Sequence, residues 1–503
     1  MLTIFNTSWD LAGSAVDTAL LPLGSVEPKG PHLPMGLDLI LAQRFGRDLG
    51  SGRAVYLLPA FPFSTALEGR GFKGAVALSQ ETMWQVLTDL ASNLARHGFK
   101  RLVVLDFSNF NWIVKQAVRE LNLDRELIQA VWVNPKVFAL EAAGEELRPD
   151  FGGGAVETSL AQFLVPDLVQ TLPEDHLPDR PREYLDYAGL AAAAPQGYWG
   201  RPRSASAETG RQLYDLMLNK TSDYLDYALK LFPQGRPLEA SQESEIWWPQ
   251  GRIPGAQGPG QDWRGSLAQI GGAGSGLALI PTGAIEQHSP ALPLATDFLQ
   301  ALEWSRRLAD RLGAFLLPAL PVVTSWGHIR FRGSLTFRAM TARLILEDLA
   351  ESLRQGGFKK AVLVNVHGGN WVLKPTLIEI NRRNQDFRLI STGDLLAYRG
   401  QAAVEQLHAC EGEASFIRAF YPESFRPDQV VDHSPQCPAS AFDLVGIGGV
   451  SPKGVWGYPS RARAEKGRAD LEAKVDQAEA YVRRILSLLD PELAAGLPGR
   501  GRG

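Results

Sequence analysis

The chain has 503 residues, 45% hydrophobic and 21% charged, with a formal net charge of −4. That length exceeds one ordinary core and suits two domains, and the near balance of charge gives no reason to expect nucleic acid or an anionic membrane surface as partner. Two cysteines, Cys410 and Cys437, exclude a disulfide framework; no basic-then-apolar leader opens the chain and no run approaches the roughly 20 apolar residues of a membrane span, so a cytoplasmic location is expected.

In chain order, the first informative stretch is Gly24-Ser-Val-Glu27-Pro-Lys29-Gly-Pro-His32-Leu-Pro-Met-Gly-Leu-Asp38. A helix ending at His97-Gly98 then leads into an apolar strand at Arg101–Leu105, and Asn111 follows. Pro, Gly and Ser crowd the chain from Pro233 to about residue 262, which reads as a linker, with Trp247 and Trp248 packing part of it onto a domain surface. Beyond it the opening pattern returns. Leu277–Ile280 is a strand, followed by Gly283-Ala-Ile-Glu286-Gln-His288-Ser-Pro-Ala-Leu-Pro-Leu-Ala-Thr-Asp297. Helices are predicted at 297–312 and 341–356, and strands at 361–366 and 387–391.

Glu27 and Glu286 differ by 259 positions, as do Asp38 and Asp297, Gly74 and Gly333, and Asn111 and Asn370. Later pairs, Glu157 with Glu413 and Gly200 with Gly457, keep the match with small indels, so the repeated unit is a whole domain. The expected division is residues 1–232, a linker at 233–262, a second domain at 263–490 and a flexible tail at 491–503. Alternating helices and continuous apolar strands predict two α/β domains with mostly parallel sheets covered on both faces, whose ligands gather at the carboxyl ends of the strands.

The second half concentrates metal-ligand chemistry. Glu286 and His288, two apart in extended chain, point the same way; Asp297 opens a helix; and His367, in Val364-Asn-Val-His367-Gly-Gly-Asn370, leaves a buried strand beside two glycines that cannot crowd it. Alone, such a histidine is ordinarily a core residue, Asp297 an N-cap and the glycine pair a turn. The conjunction argues otherwise, because four of eight histidines (His288, His328, His367, His408) fall in these segments, the last in His408-Ala-Cys-Glu411-Gly-Glu413. Carboxylates and imidazoles together suit a pair of divalent cations.

These segments, with Gly454-Val-Trp-Gly-Tyr-Pro459, resemble the ordered motifs of the creatininase (creatinine amidohydrolase) family. The resemblance implies a three-layer α/β/α sandwich in each half and hydrolysis of C–N amide bonds. It implies that Glu286, Asp297 and His367 hold one ion and His288 with Asp297 the other, Asp297 bridging. Creatininase supplies a further glutamate where this chain has Gly369; Glu413 is expected to replace it, with Glu411 second choice and otherwise a catalytic candidate beside His408, the family's proton shuttle. His328 and Trp326 are expected to touch substrate. Two ions per chain, Zn, Mn or Fe, would lower the pKa of a water and polarise the carbonyl of a small amide: a cyclic amide, a formamide or, as in mycofactocin maturation, a peptide.

The first half keeps Glu27, Asp38 and Glu157 but has Lys29 for His288, Ser108 for His367 and Gly152 for His408, so no metal is expected there. Either the Lys29 ammonium replaces metal charge or the half has drifted as a scaffold. Relatives assemble as homo-oligomers, so by resemblance the first half stands in for a neighbouring subunit and its loops close the second-half pocket. The competing class is a binding or regulatory protein that no longer turns over.

Overall fold

The structure, a computed structural model, describes residues 1–109, 111–123, 127–143, 150–180, 184–232, 262–272, 276–392, 406–437 and 441–498. The linker expected at 233–262 lies outside these residues except for its last member. No helix among them is long and apolar enough to cross a membrane. Within the segment after residue 490 a short helix forms at Pro491–Gly496, and Leu497 is buried.

Two all-parallel sheets form the frame. The first has strands β1 (Leu2–Thr3), β2 (Thr18–Leu23), β3 (Tyr56–Leu57), β4 (Arg101–Asp106) and β5 (Gln129–Val133) in the order β1-β3-β2-β4-β5. The second has β6 (Leu277–Thr282), β7 (Phe315–Leu316), β8 (Lys360–Asn365) and β9 (Arg388–Ser391) in the order β7-β6-β8-β9. An isolated parallel bridge from Asp262 to Leu316 takes the place of β1 at its edge. Side chains alternate faces along a strand, so burial of every residue in β2, β4 and β6 means that both faces of each sheet are covered.

The helix Thr296–Leu312 ends at Gly313 in the left-handed region, φ 57°, where glycine is least strained. The helix expected at 341–356 starts two residues earlier, at Ala339–Gln355, because the Arg338 backbone N–H before it is held by Asp89 of the other half. In each sheet the chain steps to one side of the central strand and returns on the other, opening a crevice at the carboxyl ends of β2 and β4, or of β6 and β8. The motif segments emerge into those crevices.

The halves share one apolar core and meet across an interface with internal two-fold symmetry. Met35 N donates to Gly265 O at 3.0 Å and Gly36 N to Trp263 O at 2.7 Å; 259 positions on, Leu294 N donates to Asn6 O at 3.1 Å and Ala295 N to Ile4 O at 3.0 Å. Ser352 Oγ donates to Ala77 O at 3.0 Å, and its counterpart Asn93 donates through Nδ2 to Thr336 O at 2.7 Å. Lys73 lies over the Phe358 ring, and Arg332 over that of Phe99. Contacts exchanged this way define an isologous interface, here within one chain.

Asp89 and Asp348 anchor it reciprocally. Asp89 accepts from Arg338 N at 2.8 Å and Thr341 Oγ1 at 2.6 Å, and Asp348 from Ser79 N at 2.7 Å and from Thr82 Oγ1. Asp89→Ala leaves these donors without their acceptor and is expected to cost about 2–4 kcal/mol. Urea unfolding at an unchanged m-value measures it, and a loss under about 0.5 kcal/mol would remove Asp89 from the interface account.

Candidate metal centre

Glu286 and His288 follow β6 and His367 follows β8, so two adjacent strands deliver three of the predicted ligands to one crevice. Asp297 is the second residue of helix 296–312, which has no side-chain cap; its carboxylate turns inward instead of capping. Asp297 Oδ1 lies 3.3 Å from His288 Nε2 and Oδ2 lies 3.0 Å from His367 Nδ1, so one carboxylate spans both imidazoles. Glu286 Oε2 is 3.3 Å from His367 Nε2, and Glu413 Oε1 is 3.7 Å from His288 Nε2.

Three overlapping donor sets result: Glu286, Asp297 and His367; His288, Asp297 and Glu413; Glu286, His288 and His408. Within each, the ligand atoms lie within 4.8 Å of one another. Among the described residues, all such groupings fall in the second half.

The donors fit divalent cations in a further respect. Both oxygens of Glu286 and Nε2 of His288 are buried without an aligned hydrogen bond, a costly state for polar atoms unless an ion completes them. His288 Nδ1, 3.1 Å from Glu286 O, must carry the proton, which leaves the Nε2 lone pair facing Asp297 and Glu413. Gly369 cannot supply the ligand that creatininase places there: a Cβ would sit 2.3 Å from His367 Nε2 and 2.8 Å from Thr324 O. Glu413 is at the cluster. Glu411 is not; its carboxylate accepts from Gln406 Nε2 at 3.3 Å.

Without an ion the cluster balances itself with protons. Burial pushes Glu286 up to about 7, with the nearby His367 pulling the other way. His367 resists burial and is held up at about 9 by Glu286 and Asp297, and His288 is likewise held well above its ordinary value by Asp297 and Glu413. His408 goes the other way, to about 4, through burial and the neighbouring charge on His288.

Gln287, between two predicted ligands, organises the remaining imidazoles, and sequence reasoning passed over it. His408 Nε2 lies 2.7 Å from Gln287 O and so carries its proton there, leaving Nδ1 free on the Glu286 side at 3.7 Å. The Gln287 amide nitrogen lies 3.2 Å from Gly454 O and 3.2 Å from His328 Nδ1, while its oxygen accepts from Ser289 N at 3.0 Å. His328 then presents an N–H at Nε2, 3.2 Å from Glu286 Oε1. The glutamine was visible inside the motif, but its partners come from three separate loops.

Ser289 and Ala409, immediately after His288 and His408, have positive φ of 69° and 48°. The first half uses Gly30 and Gly153 at the same places. Strained non-glycine turns beside site residues are a recurrent feature of functional centres.

Trp326 does not line the buried cluster. It is 47% exposed on the turn Trp326–His328, under the Arg96 guanidinium of the first half, whose His97 Nε2 also lies 2.8 Å from Ile329 O. The first half therefore contacts this turn through Arg96 and His97.

In the first half Lys29 is fully buried, its Nζ 2.7 Å from Glu27 Oε1, 2.9 Å from Asp38 Oδ2 and 2.9 Å from Glu157 Oε1. Ser108 Oγ donates to Glu27 Oε2 at 3.4 Å. A second cation went unnoticed in the sequence: Lys136, on the helix Pro135–Ala142, places Nζ 2.8 Å from Asp38 Oδ1 and 2.8 Å from Glu157 Oε1.

Comparison with known proteins accounts for both halves. The sequence profile described as creatinine amidohydrolase matches residues 7–225 and again 266–482. Creatinine amidohydrolase of Pseudomonas putida is 27% identical over 237 residues, 42% of this chain and 90% of that protein. The mycofactocin precursor peptide peptidase of Mycobacterium ulcerans is 28% identical over 219 residues, 41% of this chain and 84% of that protein. The 3-dehydro-scyllo-inosose hydrolase of Thermotoga maritima is 25% identical over 244 residues, 42% of this chain and 78% of that protein. A crystal structure of creatinine amidohydrolase (creatininase) aligns at 23% identity with a TM-score of 0.36, covering 42% of this chain and 91% of that one. With two matched segments that each span most of a half, the chain belongs to the creatininase family and carries its domain twice in tandem.

Proposed function

We propose that the second half hydrolyses the C–N bond of a small amide, a cyclic amide or a formamide, with Glu286, Asp297 and His367 holding one divalent cation and His288, Asp297 and Glu413 the other. The observation that carries this reading is the convergence of three overlapping donor sets in one buried crevice. The donors are oxygen and imidazole nitrogen, a mixture that accepts zinc, manganese or iron. When bound, such ions lower the pKa of a water toward neutrality and polarise the amide carbonyl.

The chain's own residues supply the rest. His408, with Nε2 on the Gln287 backbone carbonyl, keeps its one lone pair at Nδ1, so proton uptake and delivery to the departing nitrogen both pass through that atom. Gln287 holds the ring so that Nδ1 faces the cluster. His328, beside Glu286 and 5.3 Å from the Phe442 ring centroid, forms the wall a substrate would meet. The substrates named for the relatives differ from one another, and the amide is the class that the creatininase profile and creatinine amidohydrolase suggest.

Metal analysis and turnover test this together. About two divalent ions per chain and hydrolysis of a cyclic amide or a formamide are expected. No bound metal would sink the proposal, about four ions would refute the view of the first half, and two ions without turnover would favour the binding protein. Peptide turnover alone would point to a peptidase.

A further inference from the structure

We propose that the Lys29 and Lys136 ammonium groups stand at the two cation positions of the first-half site, so that this copy is assembled without metal, and that replacing Lys29 uncovers a divalent-cation site.

The contacts follow the logic of the second half. There Asp297 faces one donor set through Oδ1 and the other through Oδ2. Its counterpart Asp38 is divided in the same way, Oδ2 to Lys29 and Oδ1 to Lys136. Lys136 meets Asp38 and Glu157, which correspond to Asp297 and Glu413 of one set. Lys29 meets Glu27 and Asp38, which correspond to Glu286 and Asp297 of the other, and also reaches Glu157. Lys29 donates to Glu27 Oε1 and Glu157 Oε1 and pairs with Asp38 Oδ2, all within 2.9 Å.

The carboxylates are fixed from outside as ligands are: Ser25 Oγ donates to Asp38 Oδ2 at 2.9 Å, Gly153 N to Glu157 Oε2 at 2.7 Å and Asn109 Nδ2 to Glu157 Oε1 at 3.0 Å. Two ammonium charges against three carboxylates leave one negative charge over, and burial, opposed by Lys29, pushes Glu27 up to about 7 so that it carries part of a proton near neutrality. The loop from Glu27 to Asp38 also holds Met35 and Gly36, whose N–H groups grip the second half at Gly265 and Trp263. A loop locked by lysines keeps that grip whether or not metal is present. Drift on an unused scaffold gives no reason for a second buried lysine to arrive from residue 136 onto the same two carboxylates.

The test uses the full chain with Lys29→His, which places an imidazole where the second half has His288 and vacates the ammonium position. After equilibration with Mn²⁺ and desalting, bound manganese is expected to rise by about one ion per chain over the parent. Without metal, Tm is expected to fall by roughly 6–15 °C relative to the parent, and Mn²⁺ to restore most of that loss. Both readouts are differences from the parent, so they hold whatever the second half binds. Unchanged metal-free stability, or no additional manganese, overturns the proposal. If Lys29→His does not fold in either condition, Lys136→Ala decides: a metal-free loss that Mn²⁺ reverses supports the proposal, and stability equal to the parent with no metal response overturns it.

Discussion

Asp297→Asn is expected to leave the second half with less than one bound divalent ion per chain and to reduce hydrolysis by more than about 10³-fold. The amide keeps the shape of the carboxylate but loses the charge that both donor sets share, since Asp297 is the residue between His288 at 3.3 Å and His367 at 3.0 Å. The effect also has a signature without metal. In the cation-free chain Glu286 and Asp297 together raise His367 from 6.5 to about 9 against burial. A raised folded-state pKa contributes stability that is complete below 6.5 and is lost as pH rises through 9. Chelator-treated parent protein should therefore lose Tm between about pH 6.5 and 9, and Asp297→Asn should flatten that decline. Full metal content and activity in the variant would show that no cation is shared at Asp297.

The parts of this site legible in the sequence are those set by local geometry. Glu286 and His288 could be paired because extended chain repeats every two residues, and His367 because a buried strand ends beside it. The constant offset exposed the duplication, and alternating elements gave two parallel sheets. Parts that depend on distant chain were not legible. Glu411 and Glu413 sit in the same first helical turn; only the docking of helix Glu411–Phe420 sends Glu413 to His288 and leaves Glu411 with Gln406. Lys136 carries no motif and reaches Asp38 across 98 positions. Asp89 and Asp348 obey the 259-residue offset and were open to discovery, but nothing local separates an anchor of an internal two-fold from any other acidic residue on a helix.

The second large effect concerns His408, whose position next to both Glu286 and His288 allows two roles. Its ring centroid is 4.3 Å from those of both His288 and His328, and it belongs to one of the three donor sets. As a ligand, its loss would lower the metal content. As the proton carrier, its loss would leave the ions in place and remove only the step that protonates the leaving nitrogen. The geometry favours the second role, because Asp297 serves both other donor sets and Glu286 and His288 belong to one each, while His408 belongs to neither. His408→Ala is expected to retain about two ions per chain and to lower kcat by about 10²- to 10⁴-fold with little change in KM. A Gln287→Leu variant should move in the same direction by less: it removes the side-chain amide from His328, His408 and Gly454 but leaves the backbone carbonyl of that position to hold the proton on His408 Nε2. Loss of an ion from His408→Ala would reassign the residue as a ligand, and an undiminished kcat would place the proton path elsewhere in the crevice.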